Sequence, residues 1–146
     1  MAKPITLPYS KMLILIGDGA TPTEVFEAPC GLTSKGFDLN AASNDVLVPD
    51  CDDPEAPAWL ERATRSLSGQ ITGNGILAVE SFDLWRDWAL SGLPKNARVQ
   101  LEGTGLGYYA GSFLLTKFTL SAALGDKVQT DITLDSDGQI IWTAVP

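Results

Sequence analysis

Residues 66–92, SLSGQITGNGILAVESFDLWRDWALSG, join a glycine-rich polar strand almost directly to an aromatic helix. In residues 66–77, polar side chains alternate with Leu67 and Ile71, which predicts a half-buried β-strand. In residues 80–90, apolar side chains recur on one side of a helix and charged side chains occupy the other. Such a helix must cover a sheet, so the segment predicts a mainly β-protein with one flanking helix.

The ends and the packing face of the helix follow from the same stretch. Ser81 is predicted to cap the N-terminus of the helix, and Gly92 with Pro94 is predicted to end it. Aromatic residues at helical spacing on one side are typical of a packing face rather than of a ligand site. The residues predicted to pack against the sheet are Phe82, Trp85, Trp88 and Ala89.

Residues 73–78, GNGILA, match the GxGxxA pattern of dinucleotide-binding turns. That turn needs an apolar parallel strand before it and an acidic residue about 20 positions later. Here the preceding strand is polar, and residues 91–101 contain no acid. Gly69, Gly73 and Gly75 are instead predicted to let the strand bend or lie close to another backbone.

Charge and composition limit the possible functions. The 146 residues predict a single domain over residues 1–146. A formal net charge of −8 opposes tight binding of nucleic acid, because phosphate contacts need lysine and arginine. The chain has no histidine, which is the commonest general base and metal ligand, and its Asp50, Asp52 and Asp53 do not fit a calcium loop. We therefore predict no enzyme, no catalytic residues, no metal site and no cofactor.

Cysteine count and hydropathy bear on the cellular location. Cys30 and Cys51 are too few for a disulfide scaffold or a zinc site. They could form one disulfide, although two unlinked buried thiols are favoured. The N-terminal MAKPITLPYS lacks the apolar core of a signal peptide, and the longest apolar run, residues 12–16, is too short to span a membrane. The expected location is a reducing cytosol, away from membranes.

Further strands are predicted on both sides of residues 66–92. KMLILIG, residues 11–17, is typical of a short buried strand, and residues 127–145 predict a hairpin around the turn Asp135-Ser136-Asp137-Gly138. Together the pattern gives seven or eight short strands and predicts a two-sheet β-sandwich or partly open barrel with one flanking α-helix. The remaining predicted strands are residues 25–28, 35–42, 97–103 and 108–124.

The chain between the polar strands is acidic and rich in proline. PDCDDPEAPAW, residues 49–59, holds three prolines and four acids, and proline lacks the amide donor that a sheet interior requires. A long acidic loop is therefore predicted at about residues 45–65. Either a solvated surface excursion or an interaction arm would account for it.

The order of these pieces resembles one known family. The four stretches that carry the resemblance are residues 12–40 with their G-D-G turn, the Pro- and Asp-rich loop ending at Trp59, residues 66–92, and residues 107–142 with their G-D-K turn. In this order and spacing the chain resembles the major tail tube proteins of long flexible-tailed, siphovirus-type phages and of gene transfer agents. The resemblance spans nearly the whole chain.

The resemblance implies a structural virion protein made in the bacterial host cytoplasm. Its partners would be itself, as homo-hexameric rings stacked into a tail tube, together with the tape-measure protein and the tail terminator and distal tail proteins. DNA would pass through the tube without specific binding, and no membrane would be involved. An acidic wall suits this task because it repels the duplex at short range; six copies would carry 6 × (−8) = −48 formal charges.

The resemblance also indicates where the working surfaces lie. The polar strands supply lumen-facing candidates, namely Asp38, Asn40, Ser68, Gln70 and Thr72. The acidic loop and its basic sequel supply candidates for contacts between subunits or rings, namely Asp45, Asp50, Asp52, Asp53, Glu55, Trp59, Arg62 and Arg65. The alternative function is a carbohydrate-binding β-sandwich module, which the four tryptophans and three tyrosines would favour if they were exposed in a row.

Overall fold

Antiparallel strands dominate the computed structural model, which describes residues 3–17, 19, 24–103 and 105–144. Within these ranges the chain forms eight strands and one α-helix, α1, at Val79–Ser91, with a short 3-10 turn at Tyr9–Lys11. The strands are β1 Met12–Gly17, β2 Phe26–Glu27, β3 Leu32–Val48, β4 Trp59–Ile76, β5 Lys95–Leu101, β6 Gly107–Ser121, β7 Gln129–Ser136 and β8 Ile141–Ala144.

The strands form one open antiparallel sheet in the order β2-β1-β5-β6-β7-β4-β3, with β8 added beside β6. The sheet has two halves that share β6. In the first half, with β2, β1, β5 and β8, residues 108–113 of β6 pair with β5; in the second half, with β7, β4 and β3, residues 113–121 pair with β7. This confirms the mainly β-fold with one flanking helix. The two predicted sheets are two halves of one continuous sheet, because the 15-residue β6 runs through both of them.

The two halves of the sheet face each other. The ring of Tyr109 on β6 lies 5.0 Å from the ring of Phe37 on β3 and 4.8 Å from that of Trp142 on β8. Lys35 of β3 donates a hydrogen bond from Nζ to the Met12 carbonyl of β1, 2.9 Å away. Apolar side chains from both halves and from α1 fill the space between them, namely Ile14, Ile16, Leu32, Ile71, Trp85, Trp88, Ala97, Val99, Phe113, Ile132 and Leu134.

Helix α1 covers this core with a narrower face than the sequence predicts. Trp85 and Trp88 are buried and their rings stack with centroids 6.1 Å apart, and the partly buried Phe82 approaches the Phe118 ring at 6.5 Å. Ala89, which was expected on the packing face, is exposed. Ala89 lies only about 40° around the helix axis from Trp85, but it belongs to the last turn of α1, where residues 89–91 are all exposed.

The predicted helix cap is also corrected. The N-cap residue is Ala78, which makes no side-chain cap hydrogen bond, and Ser81 lies buried in the first turn. There the Ser81 hydroxyl accepts a hydrogen bond from the Cys30 backbone N–H at 3.1 Å. It therefore ties the helix to the chain before β3 instead of capping the helix. The C-terminal prediction is confirmed, because Gly92 adopts a left-handed conformation with φ 67°.

The predicted acidic loop is much shorter than residues 45–65. Residues 45–48 and 59–65 belong to β3 and β4, where Asp45 pairs with Arg62 and Val48 with Trp59, so only residues 49–58 connect the two strands. The apolar, largely β-branched run Val46-Leu47-Val48 favours strand, and it continues the ladder up to Pro49. Residues 45–48 could extend the strand of residues 35–42 on their sequence alone, and the structure shows that they do.

The predicted hairpin of residues 127–145 is wrong, although its turn glycine is correctly placed. Both edges of β7 are occupied, one by β4 and the other by β6, so β8 cannot pair with it. Strand β8 pairs with the first part of β6 instead. Gly138, with φ 111°, lets the chain leave β7 for the other half of the sheet.

Close backbone packing explains the GxGxxA pattern. A Cβ added at Gly75 would lie 2.7 Å from the Thr33 nitrogen and 2.8 Å from the Leu32 Cα, and would also meet the Gly31 carbonyl. Backbone atoms cannot rotate out of the way as side chains can. The glycine therefore permits the close approach of β3 that the sequence analysis predicts.

We expect Gly75→Ala to lower the free energy of unfolding by about 1–3 kcal/mol, the usual cost of forcing extra atoms into a packed site. Gly36→Ala is the matched control, because a Cβ there would meet only the Thr72 hydroxyl, which can rotate. Urea unfolding of both variants measures the difference. Equal stability of the two variants would contradict this account of Gly75.

Cysteines and membrane propensity complete the description. Cys30 and Cys51 are free, as favoured, but both are exposed rather than buried. Cys51 lies in the connection between β3 and β4, while Cys30 precedes β3 and its sulfur lies 3.4 Å from the Ser81 hydroxyl. Among the described residues, none of the helices has the length and hydropathy needed to cross a membrane.

Candidate lumen and assembly surfaces

The second half of the sheet has a polar side that faces away from the core. On β3 and β4, Asp38 pairs with Gln70 and Asn40 with Ser68, while Phe37, which precedes Asp38, packs against the core. Side chains alternate between the two faces of a strand, so all five predicted lumen-facing residues share one side. This polar face comprises Asp38, Asn40, Ser68, Gln70, Thr72, Lys117, Thr119, Asp131, Thr133 and Asp135.

Strand β7 continues the polar face and adds charge to it. Gln70 donates a hydrogen bond from Nε2 to Oδ1 of Asp135 at 2.9 Å, which fixes two side chains on neighbouring strands. Asp38, Asp131 and Asp135 contribute three negative charges and Lys117 contributes one positive charge, so the formal charge of the face is −3 + 1 = −2. The polar face is thus acidic, with few cations to hold a phosphate.

Asp131 and Asp135 were not among the sequence candidates. Their signal was present in TDITLDS, residues 130–136, where Asp131, Thr133 and Asp135 alternate with apolar residues. The sequence did not show which strands would pair with each other, and therefore did not show that these aspartates would lie beside the polar strands. Because β7 lies directly beside β4, its polar side joins that of β3 and β4 in one surface.

Beyond the polar face, β3 and β4 continue as a two-stranded arm, residues 41–67. Gln70 is the first β4 residue that pairs with β7; the preceding part of β4 has only β3 beside it in the described structure. The arm exposes apolar side chains to an unusual degree: Trp59 is 86% exposed, Leu67 77% and Leu47 69%. An isolated two-stranded ribbon is marginally stable in water, so a surface that covers these side chains would stabilise it.

All eight predicted contact residues lie on the arm. Arg62 Nε approaches Asp45 Oδ1 at 3.8 Å across the ladder, an exposed pair that contributes little to stability. Arg65 stands at the register shift opposite Ala42 and Ser43. Trp59 begins β4. The four remaining candidates, Asp50, Asp52, Asp53 and Glu55, belong to the arm tip, residues 49–58.

Unpaired strand edges complete the surfaces available for assembly. Within the described residues, β3 pairs with β4 alone over its 17 residues, and β8 pairs with β6 alone. Free backbone donors and acceptors on such edges can hydrogen-bond to a strand of another chain. The described residues contain no group of three His, Cys, Asp or Glu side chains that could hold a metal ion. These features describe a β-protein with unpaired strand edges and an exposed, apolar two-stranded arm.

Comparison with known proteins identifies this class further. The sequence profile of the family described as phage tail tube protein matches residues 8–141, which is most of the chain. The chain therefore belongs to the phage tail tube protein family, whose members are structural virion proteins and not enzymes. The resemblance inferred from the sequence is confirmed. No curated protein matches the sequence.

Solved structures that share the fold include three tail or virion structures. A chain from the tail of an empty gene transfer agent particle with C6 symmetry superposes with a TM-score of 0.79 at 20% identity, covering 95% of this chain and 100% of that one. A chain from the virion of a native gene transfer agent gives 0.78 at 19% identity, with coverages of 95% and 100%. The SPP1 tail tube protein gives 0.65 at 10% identity, with coverages of 96% and 80%.

Proposed function

We propose that six copies of this protein form a ring and that stacked rings make a tail tube that conducts DNA to the host cell. The observation that carries the proposal is the polar face, a continuous acidic surface that ends at the unpaired edge of β3. Joining that edge to the next copy would extend the polar face from subunit to subunit. The C6 symmetry of the similar gene transfer agent tail supports six copies in a ring.

The polar face lines the bore in this proposal. DNA slides past a wall that offers few phosphate contacts, because every neutralised phosphate adds to the binding constant. The tape-measure protein would fill the same bore before DNA enters, and the tail terminator and distal tail proteins would close the two ends. The arm covers its exposed apolar side chains against neighbouring subunits or rings.

The buried position of Trp85 and Trp88 argues against the carbohydrate-binding alternative, which needs the tryptophans exposed in a row. Trp85 and Trp88 are each 1% exposed, so neither can stack on a sugar ring.

Electron microscopy of the purified protein tests the proposed function. We expect tubes or stacked six-fold rings, and a strictly monomeric protein at high concentration would contradict the proposal.

Reversing charge on the polar face should turn the tube wall into a DNA-binding surface. We expect assembled tubes of the Asp131→Lys, Asp135→Lys double variant to retain short DNA duplexes at low salt, and wild-type tubes to release them. Retention should weaken steeply as salt rises, because each new phosphate contact releases counterions.

Asp83→Lys combined with Asp87→Lys is the control for that experiment, since it makes the same change of charge on the exposed side of α1. Both aspartates form exposed ion pairs with Arg86, which contribute little to stability. Equal DNA retention by the two double variants would place the polar face outside the bore.

A further inference from the structure

A groove crosses the outer side of the first half of the sheet, opposite the core. Arg98 of β5 lies on this side, because its neighbours Ala97 and Val99 point into the core. The groove has a volume of about 580 Å³, and its lining includes Glu24, Phe26, Asn96, Arg98, Tyr108 and Ser112. We call it the Arg98 groove.

Two aromatic rings hold Arg98 in place. Its guanidinium carbon lies 3.8 Å from the centre of the Phe26 ring and 4.6 Å from that of the Tyr108 ring. Its buried Nε has no hydrogen-bond partner among the described residues. A guanidinium that lies against two rings loses less conformational freedom when it binds a carboxylate, which it can hold through two parallel hydrogen bonds.

Glu24, the acidic residue in the lining of the Arg98 groove, already has hydrogen-bond partners for both carboxylate oxygens. The two carboxylate oxygens of Glu24 accept hydrogen bonds from the Gly19 backbone N–H at 2.7 Å and from Asn96 Nδ2 at 3.0 Å. Within the described part of the chain, Arg98 forms no ion pair with a carboxylate. Lys11, Arg62 and Arg86 form ion pairs within the chain. Among the other cations of the described residues, which form none, Arg98 is distinguished by its contact with two rings in a groove.

The arm tip carries unpaired negative charge, which is complementary to the positive charge of Arg98. Its four carboxylates, on Asp50, Asp52, Asp53 and Glu55, have no cation within 4.0 Å in the described structure. One Asp50 oxygen accepts the Asp52 N–H at 2.9 Å, which shapes the tip without neutralising it. One molecule therefore presents an unpaired acidic tip and, on a separate surface, a cation fixed in an open groove.

We propose that the arm tip of one copy docks in the Arg98 groove of another copy, with a tip carboxylate on the Arg98 guanidinium. This inference rests on the proposed tube assembly and deepens it by naming the surface that receives the arm. The contact joins two different patches, and contacts of this heterologous kind propagate into rings or open stacks. A specific guanidinium–carboxylate pair would set the register of one copy on the next.

Cys51 provides a direct test because it lies in the arm tip. In a Cys30→Ser background, we introduce Ser112→Cys in the groove and oxidise assembled protein with diamide. We expect covalently linked chains joined by a disulfide between Cys51 and position 112, since a disulfide requires Cα atoms about 4.4–6.8 Å apart. Asp83→Cys on the exposed side of α1 is the control position and should give no such product. Tubes without any link to position 112 would overturn the docking and leave the proposed function standing.

Charge exchange tests the same contact without a new thiol. Arg98→Glu should raise the concentration needed for tube formation at least tenfold, and adding Asp52→Lys with Asp53→Lys should restore assembly. Circular dichroism confirms that each variant is folded; if Arg98→Glu does not fold, the disulfide experiment decides. Normal tubes from folded Arg98→Glu protein would refute the contact alone. A wild-type protein that forms neither tubes nor rings would refute the proposed function as well.

Discussion

Replacing residues 49–58 by a two-residue Asn-Gly turn is expected to give a folded subunit that no longer forms tubes. Val48 and Trp59 are directly paired, and Asn-Gly is the favoured connection for such a hairpin. The change therefore keeps the ladder of the arm and removes only the acidic tip. Sedimentation velocity measures the outcome, and we expect loss of the polymer at concentrations where the wild type is fully assembled.

A matched control distinguishes the effect of the length of the arm tip from the effect of its charge. The tip is kept at ten residues, with Asp50, Asp52, Asp53 and Glu55 changed to their amides, Asn and Gln. If charge is what the tip contributes, this variant also fails to polymerise while retaining normal thermal stability. Wild-type tubes from the shortened variant would show that the tip makes no essential contact, and would return residues 49–58 to a solvated surface excursion.

Replacing Trp88 by alanine is expected to lower the free energy of unfolding by about 3–5 kcal/mol, the usual cost of removing a large buried aromatic side chain. Trp88 is 1% exposed, stacks on Trp85, and donates a hydrogen bond from Nε1 to the Leu93 carbonyl at 2.8 Å. Total stabilities of about 5–15 kcal/mol are typical, so this change removes a large share. The melting temperature should fall by roughly 10 °C.

Trp59→Ala is the control for Trp88→Ala, because it removes the same atoms from a side chain that is 86% exposed. It should leave the melting temperature of the unassembled subunit nearly unchanged and weaken tube formation, since the arm loses its largest apolar side chain. Similar melting temperatures for both alanine variants would mean that α1 does not close the core.

Local patterns in the sequence were sufficient for several elements. Alternation in residues 35–42 and in residues 66–72 placed the lumen candidates of each strand on one face of that strand, because side-chain direction along a strand follows from position alone. Gly92 predicted the end of the helix, because its left-handed conformation suits glycine in any surroundings. The order of these local signals also carried the family resemblance.

Other features depended on which strands became neighbours. Residues 127–145 look like a hairpin, yet β7 is enclosed by β4 and β6, and β8 pairs with β6 instead. Ser81 looks like a helix cap, yet it serves as a hydrogen-bond acceptor for Cys30, 51 residues away. Neither outcome can be deduced from nearby residues, since each depends on contacts between segments far apart in the chain.

The sequence by itself determined the mainly β-class, the aromatic packing side of the helix, the acidic character of the arm tip and the alternation that makes one side of β3 and β4 polar. These properties follow from residue type and spacing. Only the tertiary structure joined β7 to the polar face, extended β3 and β4 into an arm, and brought Arg98 against the rings of Phe26 and Tyr108. The first and the last of these require residues distant in sequence to meet, and the arm requires residues 45–48 and 59–62 to pair across the proline-rich tip.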